Sequence, residues 1–144
     1  MIEEDTIKLL RECDAGIKMG EDSITEIIDD VQNRGLRSEL RHCRVEHGVL
    51  KKEIHQLLSQ YHDEGKDPAL MAEGMSWLKT KVHMMADRSD STIADLMTDG
   101  CDMGVKSLSR YLNQYAAADE KSKDIAKRLI RLEESLSEKM RAYL

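Results

Sequence analysis

Apolar residues return in alternating steps of four and three along most of this chain, and that rhythm constrains the fold more than any other feature. Thr6, Leu10, Cys13, Ile17, Gly20, Ile24, Ile27 and Val31 form one such seam. Leu36, Leu40, Cys43, His47, Leu50, Ile54, Leu57 and Tyr61 form a second, and Ile125, Leu129, Leu132, Leu136, Met140 and Tyr143 a third. A repeat near 3.5 residues keeps one stripe of a helix against its neighbours. No stretch alternates with a period of two, so no sheet is expected. Pro occurs once and Phe not at all, which also favours an all-α chain.

The punctuation predicts helices at about 5–33, 36–64, 69–86, 91–117 and 120–143. Asn33-Arg34-Gly35 is expected to end the first, with Gly35 in a left-handed turn, and Gly65 to end the second. Pro68 suits the first turn of the third. Ser89 or Asp90 suits the N-cap of the fourth, and Asp119 that of the fifth. At 144 residues the chain is read as one domain, 1–144, with a sizeable core. Short turns make helices one and two, and four and five, antiparallel hairpins. The long connection that holds helix three then crosses the bundle. The expected fold is an up-down four-helix bundle with an extra helix in the crossover between helices two and three.

Beside the second seam runs a basic stripe: Arg34, Arg37, Arg41, Arg44 and Lys51. It could face phosphates, but flanking charges on paired helices usually meet each other. The hairpin register sets Arg44 opposite Glu26.

The fourth helix has a looser seam (Ile93, Met97, Gly100, Gly104, Ser107, Tyr111, Leu112), and two of its positions are glycine. A helix-interior glycine costs about 0.5–1 kcal/mol relative to alanine. The same spacing occurs at Gly16 and Gly20. Counting a rise of about 1.5 Å per residue from each turn, Gly20, His47, Gly48, Met103, Gly104 and Glu133 fall at one height, with Glu21, Cys101 and Asp102 close by. Two readings follow. In one, Gly20, His47, Gly48, Cys101, Met103, Gly104 and Glu133 surround a mid-bundle pocket for a small ligand or a metal ion. His47, Glu133 and Cys101 would be its candidate ligands, a set that favours zinc, copper or iron. In the other, the glycines only let helices approach, and His47 only hydrogen-bonds to a neighbouring carboxylate or carbonyl. Cys13 stands about 20 Å from Cys43 on the same count, so those two read as core residues. His42, His55, His62 and His83 fall off the seams and read as flanking or solvated.

The crossover segment carries its own stripe, Met71, Met75, Leu78, Val82 and Met85, beside Trp77. Met71, Met75, Trp77 and Met85 either dock a partner through adaptable thioether side chains or pack this helix onto the bundle.

The helix lengths, the crossover sequence Gly74-Met75-Ser76-Trp77-Leu78-Lys79 and the Asp99-Gly100-Cys101 stretch feeding Tyr111 resemble the small uncharacterised ferritin-like bundle proteins of bacteria. The resemblance implies a ferritin-like fold. Ferritin-like metalloproteins hold two irons with inward glutamates and Glu-x-x-His motifs. No Glu-x-x-His occurs in this chain, Glu46 and His47 are adjacent, and Glu133-Glu134 is not followed by a histidine. The resemblance therefore implies the fold and not the di-iron activity.

Other function classes are narrowed by charge and motif. A net charge of −6 speaks against nucleic acid. No segment approaches the roughly 18 apolar residues that span a bilayer, so no membrane is expected. The acidic start lacks the pattern of a signal peptide. Three cysteines with no CxxC spacing favour free thiols in a reducing cytoplasm. No Ser/His/Asp or Cys/His arrangement is evident, and no phosphate-cradling loop. The expectation is a cytoplasmic, non-enzymatic bundle that acts by binding, as a homodimer or with a protein partner, and with no organic cofactor. The alternative is a diverged ferritin-like metal-binding or redox protein with a transition metal at mid-bundle.

Overall fold

The computed structural model describes residues 2–63 and 73–144, and of the side chains between 73 and 79 it describes that of Leu78. Those residues fold as five helices: α1 (Ile2–Ile27), α2 (Arg34–Ser59), α3 (Glu73–Met84), α4 (Asp90–Gln114) and α5 (Glu120–Met140). Short 3-10 turns follow α1 at Ile28–Asp30 and α5 at Arg141–Tyr143, and no strand occurs among the described residues.

The helix starts are written in capping side chains. Ser89 accepts from the Thr92 amide and Asp119 from the Ser122 amide, each satisfying a donor that the first helical turn leaves open. The turn after α1 departs from expectation. Gly35 does not close the first helix but lies in the first turn of α2, where the Asn33 side chain accepts from the Gly35 and Leu36 amides. An asparagine able to cap a new helix outweighs a glycine able to end the old one. Gly35 serves close approach instead, because a Cβ there would stand 2.6 Å from the Tyr143 hydroxyl oxygen.

The second helix also ends earlier than its glycine. It stops at Ser59, and His62 adopts a left-handed φ of 58°. The His62 amide donates to the Ser59 carbonyl and the Asp63 amide to the Leu58 carbonyl. That pair of bonds is a Schellman closure with histidine in the place that glycine usually takes. Gly65 and Pro68, expected to frame the next break, lie outside the described residues.

Contacts at the helix ends give each helix its direction. The Gln32 and Asn33 amides both donate to the Asp90 carboxylate, so the turn after α1 sits beside the start of α4. At the opposite end the Ala117 amide donates to Asp5 and the Asp119 amide to Thr6, which joins the α4–α5 turn to the start of α1. Thus α1 and α2 are antiparallel, as are α4 and α5. The short α3 returns from the far end to the near one and packs on α1 and α4.

The core falls into two clusters. Ile24, Ile27, Leu36, Leu40, Ile93, Met97 and Leu136 pack near the α1–α2 turn, while Leu10, Cys13, Ile17, Leu50, Ile54, Leu108 and Leu129 pack at the other end. Two details depart from the seams: Leu58 and Leu108 are buried, whereas Leu57 and Ser107 are only half-buried. A straight helix advances at 3.6 residues per turn, so a stripe written at 3.5 drifts along its length. Helix α1 buries a second stripe (Ala15, Met19, Ser23), because α3 covers it on that side.

The basic stripe finds partners, though not the expected one for Glu26. Lys51 pairs with Glu21 at 2.7 Å, Arg44 donates to the Thr25 hydroxyl, and the Arg37 guanidinium donates to the Val31 carbonyl. Glu26 is met instead by Arg88 and His83 from the crossover itself. The sequence seams carry no information about which side that segment covers.

Candidate functional site

Between the two core clusters, each of the four long helices interrupts its apolar run at one level. On α1 the residue between Ile17 and Ile24 is Gly20, and on α2 the one between Cys43 and Leu50 is His47. On α4 Gly104 lies between Cys101 and Leu108, and on α5 Glu133 lies between Leu129 and Leu136. The structure brings these four together. His47, 1% exposed, places Nε2 2.9 Å from Glu133 Oε1. A Cβ on Gly20 would stand 3.1 Å from that same Nε2, and one on Gly104 would stand 3.7 Å from the Glu133 carboxyl carbon. Gly20 makes room for the imidazole in the layer between two apolar clusters, whereas a Cβ on Gly104 would only touch the carboxylate at an ordinary distance.

Both imidazole nitrogens have acceptors. Nδ1 lies 2.7 Å from the Cys43 carbonyl oxygen, one turn back on the same helix, with Cys43 Sγ at 3.3 Å. Nδ1–H donating to the carbonyl and Nε2–H donating to the carboxylate describe a charged imidazolium. Burial pulls the His47 pKa down. Hydrogen bonding to Cys43 and Glu133, together with the Glu133 charge, outweighs that and holds it well above its ordinary 6.5. A buried imidazolium beside a carboxylate is a neutral pair, which the interior tolerates far better than a lone charge.

Beside the pair lies a cavity of about 40 Å³ between α1 and α4, under Leu78 of α3. Gly16, Met19, Gly20, Ser23, His47, Met97, Gly100, Cys101, Met103, Gly104 and Glu133 are among its lining residues. A void needs about 10–15 Å³ to admit one water, so this one has room for a few waters or a single ion. The Ser23 hydroxyl on its wall is buried and has no hydrogen-bond partner among the described residues. Such a group costs on the order of 1–3 kcal/mol unless something supplies a bond. The Cys101 thiol on the opposite wall is held protonated, first by burial and then by the neighbouring Glu133 charge and hydrogen bond.

Of the expected pocket residues, Gly20, His47, Cys101, Met103, Gly104 and Glu133 all line this cavity, and Gly48 does not. Gly48 follows His47 by about 100° around the helix and faces Glu21 Oε2 of α1 at 3.7 Å instead. The three candidate metal ligands are not a coordinating set. His47 and Glu133 are bonded to each other, and among the described residues no three His, Cys, Asp or Glu side chains are grouped to hold an ion. Of the crossover residues, Met85 packs partly buried against the near-end core cluster. Met71 lies outside the described residues, as do the side chains of Met75 and Trp77.

Met19, Ser23 and Met97 were not singled out as pocket residues from the sequence. Their signal was helical spacing, since Met19 and Ser23 flank Gly20, and Met97 lies one turn before Cys101. Asp14 was also missed. It is 0% exposed, 2.7 Å from Lys18 Nζ and 2.6 Å from Nε2 of His55, a histidine expected to be merely flanking. An aspartate next to a seam cysteine reads as a flank until a second helix is known to cover that flank.

Among the described residues no helix is long and apolar enough to cross a membrane. No protein-family model, curated protein or solved structure matches the chain.

Proposed function

We propose that this chain is a non-enzymatic binding protein whose ligand sits in the mid-bundle cavity beside His47 and Glu133. The observation that carries the reading is the Ser23 hydroxyl, buried, unpartnered among the described residues and on the wall of a void large enough to hold something that would bond to it. The nearby groups are arranged to hold rather than to react. Both His47 nitrogens are engaged, and burial holds the Cys101 thiol protonated, which removes its nucleophilic form.

A ferritin-like arrangement is part of the same reading. Its support is the run of α3 back along α1 and α4, which lets α2 and α4 both start at the near end, as a long crossover between two hairpins requires. Three free, buried thiols support a reducing, cytoplasmic setting.

Native mass spectrometry of the chain purified without denaturation, compared with the denatured mass of the same sample, tests the cavity reading. The expected result is a discrete extra mass, one per chain. It should be absent from Gly104→Leu, whose side chain would fill the void. A wild-type chain with no extra mass, from cells grown in metal-supplemented rich medium, overturns the reading.

A second reading, association with another copy or a protein partner, has one observation behind it. Val45 and Val49, one turn apart on α2, are 65% and 54% exposed. Sedimentation of Val49→Glu beside wild type tests it, and a monomer at all concentrations in both removes the homodimer.

A further inference from the structure

Four sulfur-bearing residues line the cavity beside the His47–Glu133 pair. Met19 on α1 is 2% exposed, and Met97 and Cys101, one turn apart on α4, are 3% each. Met103 lines the same void. Methionine is unbranched, has three rotatable bonds and ordinarily closes irregular gaps in a core. Here three methionines border a gap that they leave open. They and Cys101 come from two of the helices that line it, α1 and α4.

We propose that the cavity is a binding site for a soft monovalent metal ion, copper(I), held by the Met19, Met97 and Met103 thioethers and the Cys101 sulfur. The inference rests on the reading of the cavity as a binding site and names its ligand class. Thioether and thiolate donors select copper(I), whereas zinc and iron take imidazole and carboxylate as readily as sulfur. The imidazole at this site is spent on Glu133 and the Cys43 carbonyl, and sulfur is the commonest donor in the rest of the lining. A 40 Å³ void admits one ion between these side chains.

The balance of the step is simple. As the Cys101 S–Cu bond forms, the S–H bond breaks and its proton leaves to solvent. The three thioethers bind as neutral donors, and no electron is transferred, since the ion arrives as copper(I). Ion and thiolate together are neutral, so the interior gains no net charge beyond the pair it already holds.

The test is anaerobic titration of the intact chain with copper(I) against the chromophoric chelator bicinchoninate, with zinc(II) run in parallel. The variants are Met97→Leu and Cys101→Ala. Leucine conserves the volume of methionine, so Met97→Leu separates loss of a donor from loss of the fold, with the melting temperature of each variant as control. The expected result is one copper(I) per chain, an affinity lower by about tenfold or more in each variant, and no retained zinc. X-ray absorption of the loaded chain should show a copper shell made of sulfur. No retained copper(I), or copper(I) retained at unchanged affinity in either variant, overturns the proposal. Native mass spectrometry separates that failure from failure of the cavity reading. A chain that rejects copper(I) but carries another bound mass keeps the cavity reading, and a chain with neither loses both.

Discussion

His47 on α2 and Glu133 on α5, 86 residues apart in the chain, meet at 2.9 Å through Nε2 and Oε1 in the layer that divides the two apolar clusters. His47 Nδ1 is held by the Cys43 carbonyl and Glu133 also meets the Cys101 thiol, but the contact between them is the one that joins α2 to α5 at this level. Glu133→Leu leaves the imidazole with a lost partner, and the expected destabilisation is roughly 3–5 kcal/mol, the usual consequence of removing one side of a buried pair. The double variant His47→Leu with Glu133→Leu should recover most of that loss, because two apolar side chains can replace a buried pair almost neutrally. Urea unfolding of the single and double variants measures both terms. A loss in the double variant equal to the sum of the two single losses would show that the pair is not coupled.

The same pair gives stability a pH dependence of definite sign. The folded chain holds the His47 proton to a higher pH than the ordinary 6.5. Below that ordinary value both folded and unfolded chains carry the proton, and the stabilisation is fully present. Above it the unfolded chain has released its proton while the folded chain has not, so stability falls as pH rises toward the folded value. The slope contributed by one such group is at most about 1.4 kcal/mol per pH unit. Thermal melts across the neutral to alkaline range should show this decline in wild type, and His47→Gln should lack that component.

The glycines at this level should separate under substitution by alanine. At Gly104 the new Cβ would make an ordinary contact of 3.7 Å with Glu133, and at Gly48 one of 3.7 Å with Glu21. Both substitutions should stabilise by about 0.5–1 kcal/mol through helix propensity. At Gly20 the Cβ would stand 3.1 Å from a His47 ring that is pinned at both nitrogens, and at Gly100 it would stand 2.8 Å from Leu78. Both of these should destabilise, by about 1–3 kcal/mol as overpacked positions do. Chemical unfolding of the four variants checks the division.

His62 occupies the left-handed position that closes α2. A residue with a Cβ is held there against a preference of roughly 1–2 kcal/mol. His62→Gly should therefore raise stability by about 1 kcal/mol and leave ligand binding unchanged. A lower melting temperature in this variant would mean that the imidazole contributes more than its backbone strain removes.

Asp90 accepts the Gln32 and Asn33 amides at 2.9 Å each and so fastens the first hairpin to the start of α4. Asp90→Ala should lose about 1–3 kcal/mol, since hydrogen bonds to a charged group are the stronger ones. Hydrogen exchange should localise the effect by increasing at the Gln32 and Asn33 amides.

How much was legible in the sequence differs from residue to residue. Ile17, Ile24, Leu40, Leu50, Leu129 and Leu136 announced the helices and their inward stripes, because a period near 3.5 has one structural meaning. Asp119 and Ser89 announced helix starts, because capping is local chemistry. The height of His47, Gly20, Gly104 and Glu133 could be counted from the turns, because helix rise is constant.

What the chain could not say by itself was which way those residues turn once they share a level. Gly48 stands at the right height but faces Glu21, and only the packing of α1 on α2 decides that. Of the three residues expected to share a metal, His47 and Glu133 are joined by a hydrogen bond that exists only when α2 and α5 are neighbours. Met19 and Ser23 became interior because α3 lies along α1, and Asp14 because His55 of α2 meets it, coverings that no period in α1 records. Periodicity and rise are properties of one helix and are written along it. A cavity, a buried pair and a covered flank are relations between helices, and the tertiary structure alone assigns them.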